Sequence, residues 1–368
     1  MPKTQETVLE IDLKALTHNF DYLKSKLRSN TKLIAVVKAF AYGSDANIIS
    51  KHLQGLDADY LAVAYVNEGV SLRKAGITKP ILVLHPQPVN FKTLIEHSLE
   101  PCLYNAKVLN EFISTVSKEG KTKFPVHIKF NTGLNRLGFK PNDIEYITST
   151  LNKIDSIKVA SIFSHLAASE DTSEKEFTLG QIKKFREIAE AFTRKIGYRP
   201  LAHICNTSGI LNYPEAHFDM VRSGIGLFGF GNSKKENKYL KPIATLKSII
   251  SQIHHIKKGE TVGYNRSFES DTFKKTATIP IGHADGISRQ YGNGNGFIII
   301  NGKKAFIIGN VCMDMIMVDI TNIDCKEGDE VIIFDKINTA ENLASSINTI
   351  SYEIITAISQ RINRVVLK

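Results

Sequence analysis

The chain has 368 residues, 42% hydrophobic and 23% charged, ordinary for a folded globular protein and more than one typical core holds. No apolar run approaches the ~20 residues of a membrane span. The net charge of +10 lies in short, dispersed lysine pairs without interleaved aromatics, a solvated surface rather than a nucleic-acid groove. The four cysteines (Cys102, Cys205, Cys312, Cys325) form no C-x-x-C pair, so neither a zinc nor a redox motif is indicated and a reducing cytoplasm is expected. Residues 1–20 carry Glu6, Glu10, Asp12 and Lys14 with no apolar h-region, unlike a secretory leader.

In chain order, residues 7–13 read as a strand with no early partner, expected to pair with a second domain. A helical pattern at 13–27 follows. Short apolar runs at 33–38, 60–64, 81–84, 100–103, 126–130, 159–165, 201–205 and 220–222 then alternate with helical or turn segments, among them 66–75, 106–117 and 177–196. The fourth and eighth runs are weak on propensity. The count and lengths predict an α/β fold, a (β/α)8 TIM-like barrel over residues 14–240. A doubly wound open sheet would need a glycine-rich turn after the first strand, and Ala39-Phe40-Ala41-Tyr42-Gly43 is not one. Beyond residue 240 the pattern turns strand-like at 243–255, 276–281, 296–300, 305–308, 315–320 and 330–334, with Asn-Gly-type turns between. That predicts a mostly antiparallel C-terminal β domain over 241–368, with strand 1–13 added and helical patterns at 339–346 and 353–362.

In such barrels chemistry sits at the C-terminal ends of the strands. Lys38 ends the first run. Taken alone a lysine there is most often solvated, but a partly desolvated one forms a Schiff base with a carbonyl cofactor. Lys129, Asn131 and Arg136 lie at the fifth run, His165 ends the sixth, Asn206, Thr207 and Ser208 follow the seventh, and Arg222, Ser223 and Gly224 close the eighth. The last two loops offer hydroxyls, a helix start and close backbone approach, the usual place for phosphate. A phosphate subsite beside a Schiff-base lysine points to pyridoxal 5′-phosphate. Arg222 fits that cofactor: placed at the pyridine nitrogen it is no proton acceptor, so it leaves the ring a weak electron sink suited to moving a proton at Cα.

The segments Ala35-Val36-Val37-Lys38-Ala39-Phe40-Ala41-Tyr42-Gly43, His127-Ile128-Lys129-Phe130-Asn131-Thr132-Gly133-Leu134-Asn135-Arg136-Leu137-Gly138, Ser164-His165-Leu166-Ala167, His203-Ile204-Cys205-Asn206-Thr207-Ser208-Gly209 and Val221-Arg222-Ser223-Gly224-Ile225 resemble the alanine racemase family. So do Gly263-Tyr264, Ile281-Gly282-His283-Ala284-Asp285-Gly286, Val311-Cys312-Met313-Asp314, Ser351-Tyr352-Glu353 and Arg361-Ile362-Asn363-Arg364. The resemblance implies pyridoxal phosphate on Lys38, no metal, and L-/D-alanine interconversion supplying peptidoglycan. It implies Lys38 as base on one face of the substrate Cα and Tyr264 on the other, reaching the site of a second subunit in a homodimer. Tyr264 would be supported by His165 and Arg222, since a free tyrosine titrates near pH 10. It further implies cofactor contacts at Tyr42, Asn206, Thr207, Gly224, Ile225 and Tyr352, substrate contacts at Arg136 and Met313, and a carbamylated Lys129 that positions Arg136.

The chain departs from the family pattern at several places. Phe40 stands where Asn is usual, Ser44-Asp45 for His-Gly, Asn131 for Asp, Asn135 for Gly or His, and Thr207-Ser208 for Ser-Ala. Gly263 and Asn265 flank Tyr264 where Ser and Gly are usual, His283 replaces a tyrosine at the substrate mouth, and Asn310 an arginine nearby. None removes a proposed base. The alternatives are a racemase of serine or lysine, a non-catalytic cofactor-carrying homeostasis protein, and a decarboxylase. The homeostasis proteins lack the C-terminal β domain, and a decarboxylase would need an acidic group where Arg222 stands.

Overall fold

The structure is a computed structural model that describes residues 6–367. Residues 1–5 of the expected strand 1–13, and residue 368, lie outside the described residues. The chain forms two compact units. One holds Thr17–Ala41 and Ala46–Leu240; the other holds the segments up to Leu16, Tyr42–Asp45 and from Lys241 onward.

After β1 (Val8–Asp12), the β-branched runs of the first unit become eight parallel strands that close into a barrel: β2 (Lys32–Val36), β3 (Tyr60–Val63), β4 (Ile81–Val83), β5 (Glu100–Leu103), β6 (Phe124–Lys129), β7 (Ile157–Phe163), β8 (Leu201–His203) and β9 (Met220–Ser223). β9 pairs back onto β2 with Ile34 opposite Arg222, so no edge is left open. The two weak runs are both present, as β5 and β9. Parallel strands require crossovers, and amphipathic helices supply them. Ala106–Lys118 buries Val108, Leu109, Phe112 and Val116, and its N-cap Asn105 accepts the Val108 N–H. Lys175–Ile196 buries Ile182, Phe185, Ile188, Phe192 and Ile196 and ends on Gly197 in the left-handed region.

The second unit is built on a nine-stranded sheet. Its strands are β1, β10 (Ala244–Ile249), β11 (Gln252–Ile256), β14 (Lys274–Ile279), β15 (Phe297–Ile300), β16 (Lys303–Ile308), β17 (Ile316–Asp319), β18 (Glu330–Phe334) and β19 (Asn363–Leu367), in the order β11-β14-β17-β16-β15-β18-β10-β1-β19. A separate ribbon pairs β12 (Thr261–Val262) with β13 (Phe268–Glu269). β1 runs antiparallel to β10 and parallel to β19.

Three expectations change. The run 243–255 is two strands, because Ile250 and Ser251 turn their N–H groups to Asp329 and Thr278 and separate β10 from β11. The helical pattern at 353–362 is a shorter helix, Ser351–Thr356, and the chain then extends into β19. The first barrel strand stops at Val36, and Lys38 opens a left-handed turn. Ala39, Phe40, Ala41 and Tyr42 take φ of 53°, 55°, 49° and 53°, and Gly43 80°. Such a conformation costs a non-glycine residue roughly 1–2 kcal/mol, and it persists only where surroundings over-determine it.

Candidate active site

The surroundings of that turn are visible. Glu68, in the first turn of the helix Val66–Lys74, accepts the Ala39 N–H at 2.6 Å with one oxygen and the Ala64 and Tyr65 N–H groups at 2.7 and 3.0 Å with the other. At the far end a Cβ on Gly43 would fall 1.9 Å from the Ile355 carbonyl oxygen, so the turn must finish on glycine. Lys38 is half-buried. Burial, then the positive charge of Arg136, lowers its pKa, while Glu68 pulls the other way.

Arg222 occupies the barrel interior and is 4% exposed. Its Nη1 donates to His203 Nδ1 at 2.5 Å. Nη2 donates to the Ser164 and Ile204 carbonyls at 2.7 and 3.1 Å and to His165 Nδ1 at 3.0 Å. Its Nε–H has no acceptor among the described residues. Burial holds its pKa down to about 10, so it stays a cation at neutral pH. The same burial, followed by the charges of Arg222, Arg136, Lys129 and Lys38, drives the His165 pKa well below the usual histidine range. His165 is therefore neutral, accepts at Nδ1 and carries its proton on Nε2. The Phe163 ring stacks on His203 at 4.8 Å between centroids, with the Arg222 guanidinium 5.2 Å and Lys129 Nζ 5.8 Å from its centre. Lys129 is buried, and burial lowers its amine to about 8, with Arg136, Arg222 and Lys38 adding to the depression and Cys102 opposing it.

Asn206 caps the helix Thr207–Asn212, accepting the Gly209 N–H at 2.9 Å and the Ser169 hydroxyl at 2.7 Å. Thr207 Oγ1 lies 3.0 Å from Ser223 Oγ and accepts the Gly226 N–H at 3.3 Å. The two loops pack so closely that a Cβ on Gly226 would meet Thr207 at 2.6 Å. Gly224 and Ile225 are buried beside these hydroxyls. Asn131 takes the Gly133 and Asn135 N–H groups and donates to the Asn135 side chain, folding the loop that carries an exposed Arg136.

These residues fit pyridoxal phosphate on three structural grounds. A half-buried amine of lowered pKa sits at a barrel strand end. Paired hydroxyls and close backbone lie after β8 and β9. A buried guanidinium keeps its Nε–H and one Nη1–H unspent. The structure thus gathers Lys38, Lys129, Arg136, His165, Asn206, Thr207, Arg222, Gly224 and Ile225 in the barrel unit.

The other four site residues belong to the sheet unit. Tyr42 and Tyr352 have their rings 6.0 Å apart, and burial pushes the Tyr42 phenol well above the ordinary tyrosine range. Tyr264 is 73% exposed and Met313 59%. Both line a concavity of about 690 Å³ with His254, Ile256, Met315 and Met317. The Tyr264 carbonyl accepts from Asn310 Nδ2 at 3.3 Å, in a turn whose neighbours Gly263 and Asn265 both take positive φ.

Sequence reasoning passed over Glu68, whose only signal was a cap-like position after a strand. It also passed over Glu236, a buried carboxylate that accepts from Ser208, Asn212 and the Asn232 N–H. The pair of Arg361 with Asp285 and Asp314 was unforeseen as well, although all three fall in the motif segments.

The family model described as alanine racemase, N-terminal domain, matches residues 11–231, and that described as alanine racemase, C-terminal domain, matches residues 243–366. Alanine racemase 1 of Clostridium acetobutylicum is 37% identical over 369 residues, covering 98% of this chain and 95% of that protein. An alanine racemase of Clostridium perfringens is 38% identical over 370 residues, covering 98% and 95%. The solved alanine racemase of Clostridium difficile 630 superposes with a TM-score of 0.93 at 33% identity, covering 99% of this chain and 96% of that one.

Proposed function

The chain belongs to the alanine racemase family, isomerases of L- and D-alanine, and from that premise we propose a two-base reaction on pyridoxal 5′-phosphate in which each base comes from a different copy of the chain. The observation that carries the cofactor reading is Arg222: a buried cation, held on four sides, with its Nε–H unspent. Lys38 would hold the cofactor, Thr207, Ser223 and the backbone of Gly224 and Ile225 its phosphate, and Arg222 its pyridine nitrogen. The family resemblance assigns phosphate contacts to Tyr42 and Tyr352 as well, whose rings lie 6.0 Å apart in the sheet unit. Bound there, pyridoxal phosphate withdraws electrons from the substrate Cα–H bond.

Lys38 removes or returns the Cα proton on one face. Its lowered pKa leaves more of the amine free to accept at working pH. Tyr264 of a second copy serves the other face, which its exposure in a single chain supports. His165 has one proton to offer, on Nε2, and donating it to the Tyr264 oxygen favours the phenolate that must act as base. Arg136 and the Met313 backbone bind the substrate carboxylate. Lys129, once neutral, takes up carbon dioxide: its nitrogen bonds the carbon and loses a proton, and the carbamate steadies Arg136.

The homodimer is supported by the concave, Met-rich surface around Tyr264. Four free cysteines fit a reducing cytoplasm, and no helix among the described residues is long and apolar enough to cross a membrane. The product D-alanine would serve peptidoglycan synthesis. The test is α-proton exchange of L-alanine in heavy water by purified protein with and without pyridoxal phosphate. Cofactor-dependent exchange with D-alanine formation is expected, and absence of both overturns the reading.

A further inference from the structure

The hydrogen bonds of Arg222 do not end at His203. His203 Nε2 lies 3.0 Å from Ser161 Oγ, Ser161 Oγ lies 2.6 Å from His127 Nδ1, and His127 Nε2 lies 2.8 Å from Glu100 Oε2. His127, Ser161 and His203 are 0% exposed and Glu100 8%. The strand registers explain the line-up. His127 is opposite Ser161, Phe163 two residues on is opposite His203, and Cys102, two residues after Glu100, is opposite His127. Residues two apart share a face, so all four side chains enter the same barrel interior. The Tyr60 hydroxyl hydrogen-bonds Glu100 at the far end, and its ring stands edge-on to His127 at 5.9 Å.

The direction of every bond follows from one fact. A guanidinium only donates. His203 Nδ1 must therefore accept, and the ring proton sits on Nε2, where it is donated to Ser161. The serine proton is then available to His127 Nδ1, which leaves the His127 proton on Nε2, facing the Glu100 carboxylate. The donors all run one way, from the Arg222 cation to the Glu100 anion. Arg222 is in none of the ion pairs among the described residues, so Glu100 is the carboxylate coupled to it, through polarised bonds rather than contact.

We propose that Glu100, His127 and Ser161 are positioning residues for Arg222: by holding the His203 ring through its Nε2–H they fix the direction in which the guanidinium presents its Nε–H to the cofactor ring. The proposal rests on the placement of Arg222 at the pyridine nitrogen.

The experiment compares the purified holoenzyme with Ser161→Ala, Ser161→Thr, Glu100→Gln and Arg222→Lys. It reads 15N signals of the histidine rings, the visible absorption of the cofactor, and kcat and KM for alanine. Ser161→Ala should lower kcat roughly tenfold, the rate equivalent of one hydrogen bond, with KM little changed. It should also shift the cofactor band and move the His203 signals away from those of a bonded Nε2–H tautomer. Ser161→Thr restores the hydroxyl and should restore all three. Glu100→Gln keeps an acceptor but removes the charge, so kcat should fall roughly threefold. It is the second route should Ser161→Ala not fold, and an unaltered rate and spectrum in it overturn the proposal. Ser161→Ala with unaltered kcat, absorption and tautomer overturns it too. If Arg222→Lys leaves the cofactor band unmoved, the placement of Arg222 is wrong and the proposal falls with it. If Arg222→Lys shifts the band and Ser161→Ala does not, only the relay falls.

Discussion

Lys38 and Tyr264 are assigned the same task from opposite surroundings. Lys38 is half-buried in the barrel unit, on a left-handed turn held by Glu68, and burial, with Arg136 adding to it, lowers its pKa. Tyr264 is 73% exposed in the sheet unit, on a turn held by exposed bonds from the Asn310 side chain and N–H. In the proposed reaction the barrel unit supplies the first base and the Arg222 cluster, whose histidine tautomers its own hydrogen bonds set. The sheet unit offers an uncovered phenol beside exposed methionines. Under the proposed two-base reaction, the second base would be gained only on assembly of two copies.

The contrast is broken most severely at Lys38. Lys38→Ala should abolish cofactor-linked absorbance and lower turnover by at least about 10⁴-fold, since it removes both anchor and base. Absorption spectra and a coupled D-alanine assay read it. Tyr264→Phe should cost about 10²–10⁴-fold in turnover while the cofactor stays bound and the spectrum is kept. Mixing the two inactive variants then tests the sharing of sites. A mixed dimer would pair an intact Lys38 with an intact Tyr264 and recover activity, whereas an inactive mixture would return Tyr264 to the site of its own chain.

The same contrast explains what was legible. The eight runs of the barrel were readable because buried parallel strands are continuously apolar. The strand-end lysines, histidine and arginine stood out against that background. The weakness of the fourth run was itself informative: Glu100 and Pro101 are poor strand formers, and Glu100 is spent on His127 inside the barrel. Four consecutive left-handed non-glycine residues after Lys38 contradict every local preference, so no propensity argument finds them. β19 was hidden because its partner β1 lies more than 300 residues away in the chain, and the two pair in parallel. Tyr264 was found by its motif alone, since an exposed tyrosine on a turn has no signature of pattern or burial.

Lys129 sharpens the comparison by pH. Its amine titrates at about 8 in the fold against about 10.4 unfolded. The unfolded chain therefore binds more protons between those values, and the uncarbamylated protein gains stability as pH rises through that window. Only the neutral amine reacts with carbon dioxide. A 13C carbamate signal from labelled bicarbonate should grow from pH 7 to 9, and Lys129→Met should lose it. A pH-independent signal, or one surviving that substitution, would place the carbamate elsewhere.

Asn310 should show the smallest effect and the one most specific to the sheet unit. Its Nδ2 bond to the Tyr264 carbonyl and its N–H bond to Ser267 are both exposed, and water replaces an exposed bond at little cost. Asn310→Ala should therefore leave stability within about 0.5 kcal/mol and lower kcat roughly threefold, by letting the Tyr264 turn wander. The informative measurement is the same substitution combined with Ser161→Ala. If the barrel residue tunes Arg222 at the cofactor ring and the sheet residue tunes Tyr264, the two losses should multiply; a combined loss equal to the larger one would mean that both act on one step of positioning, and the division of labour between the units would have to be redrawn.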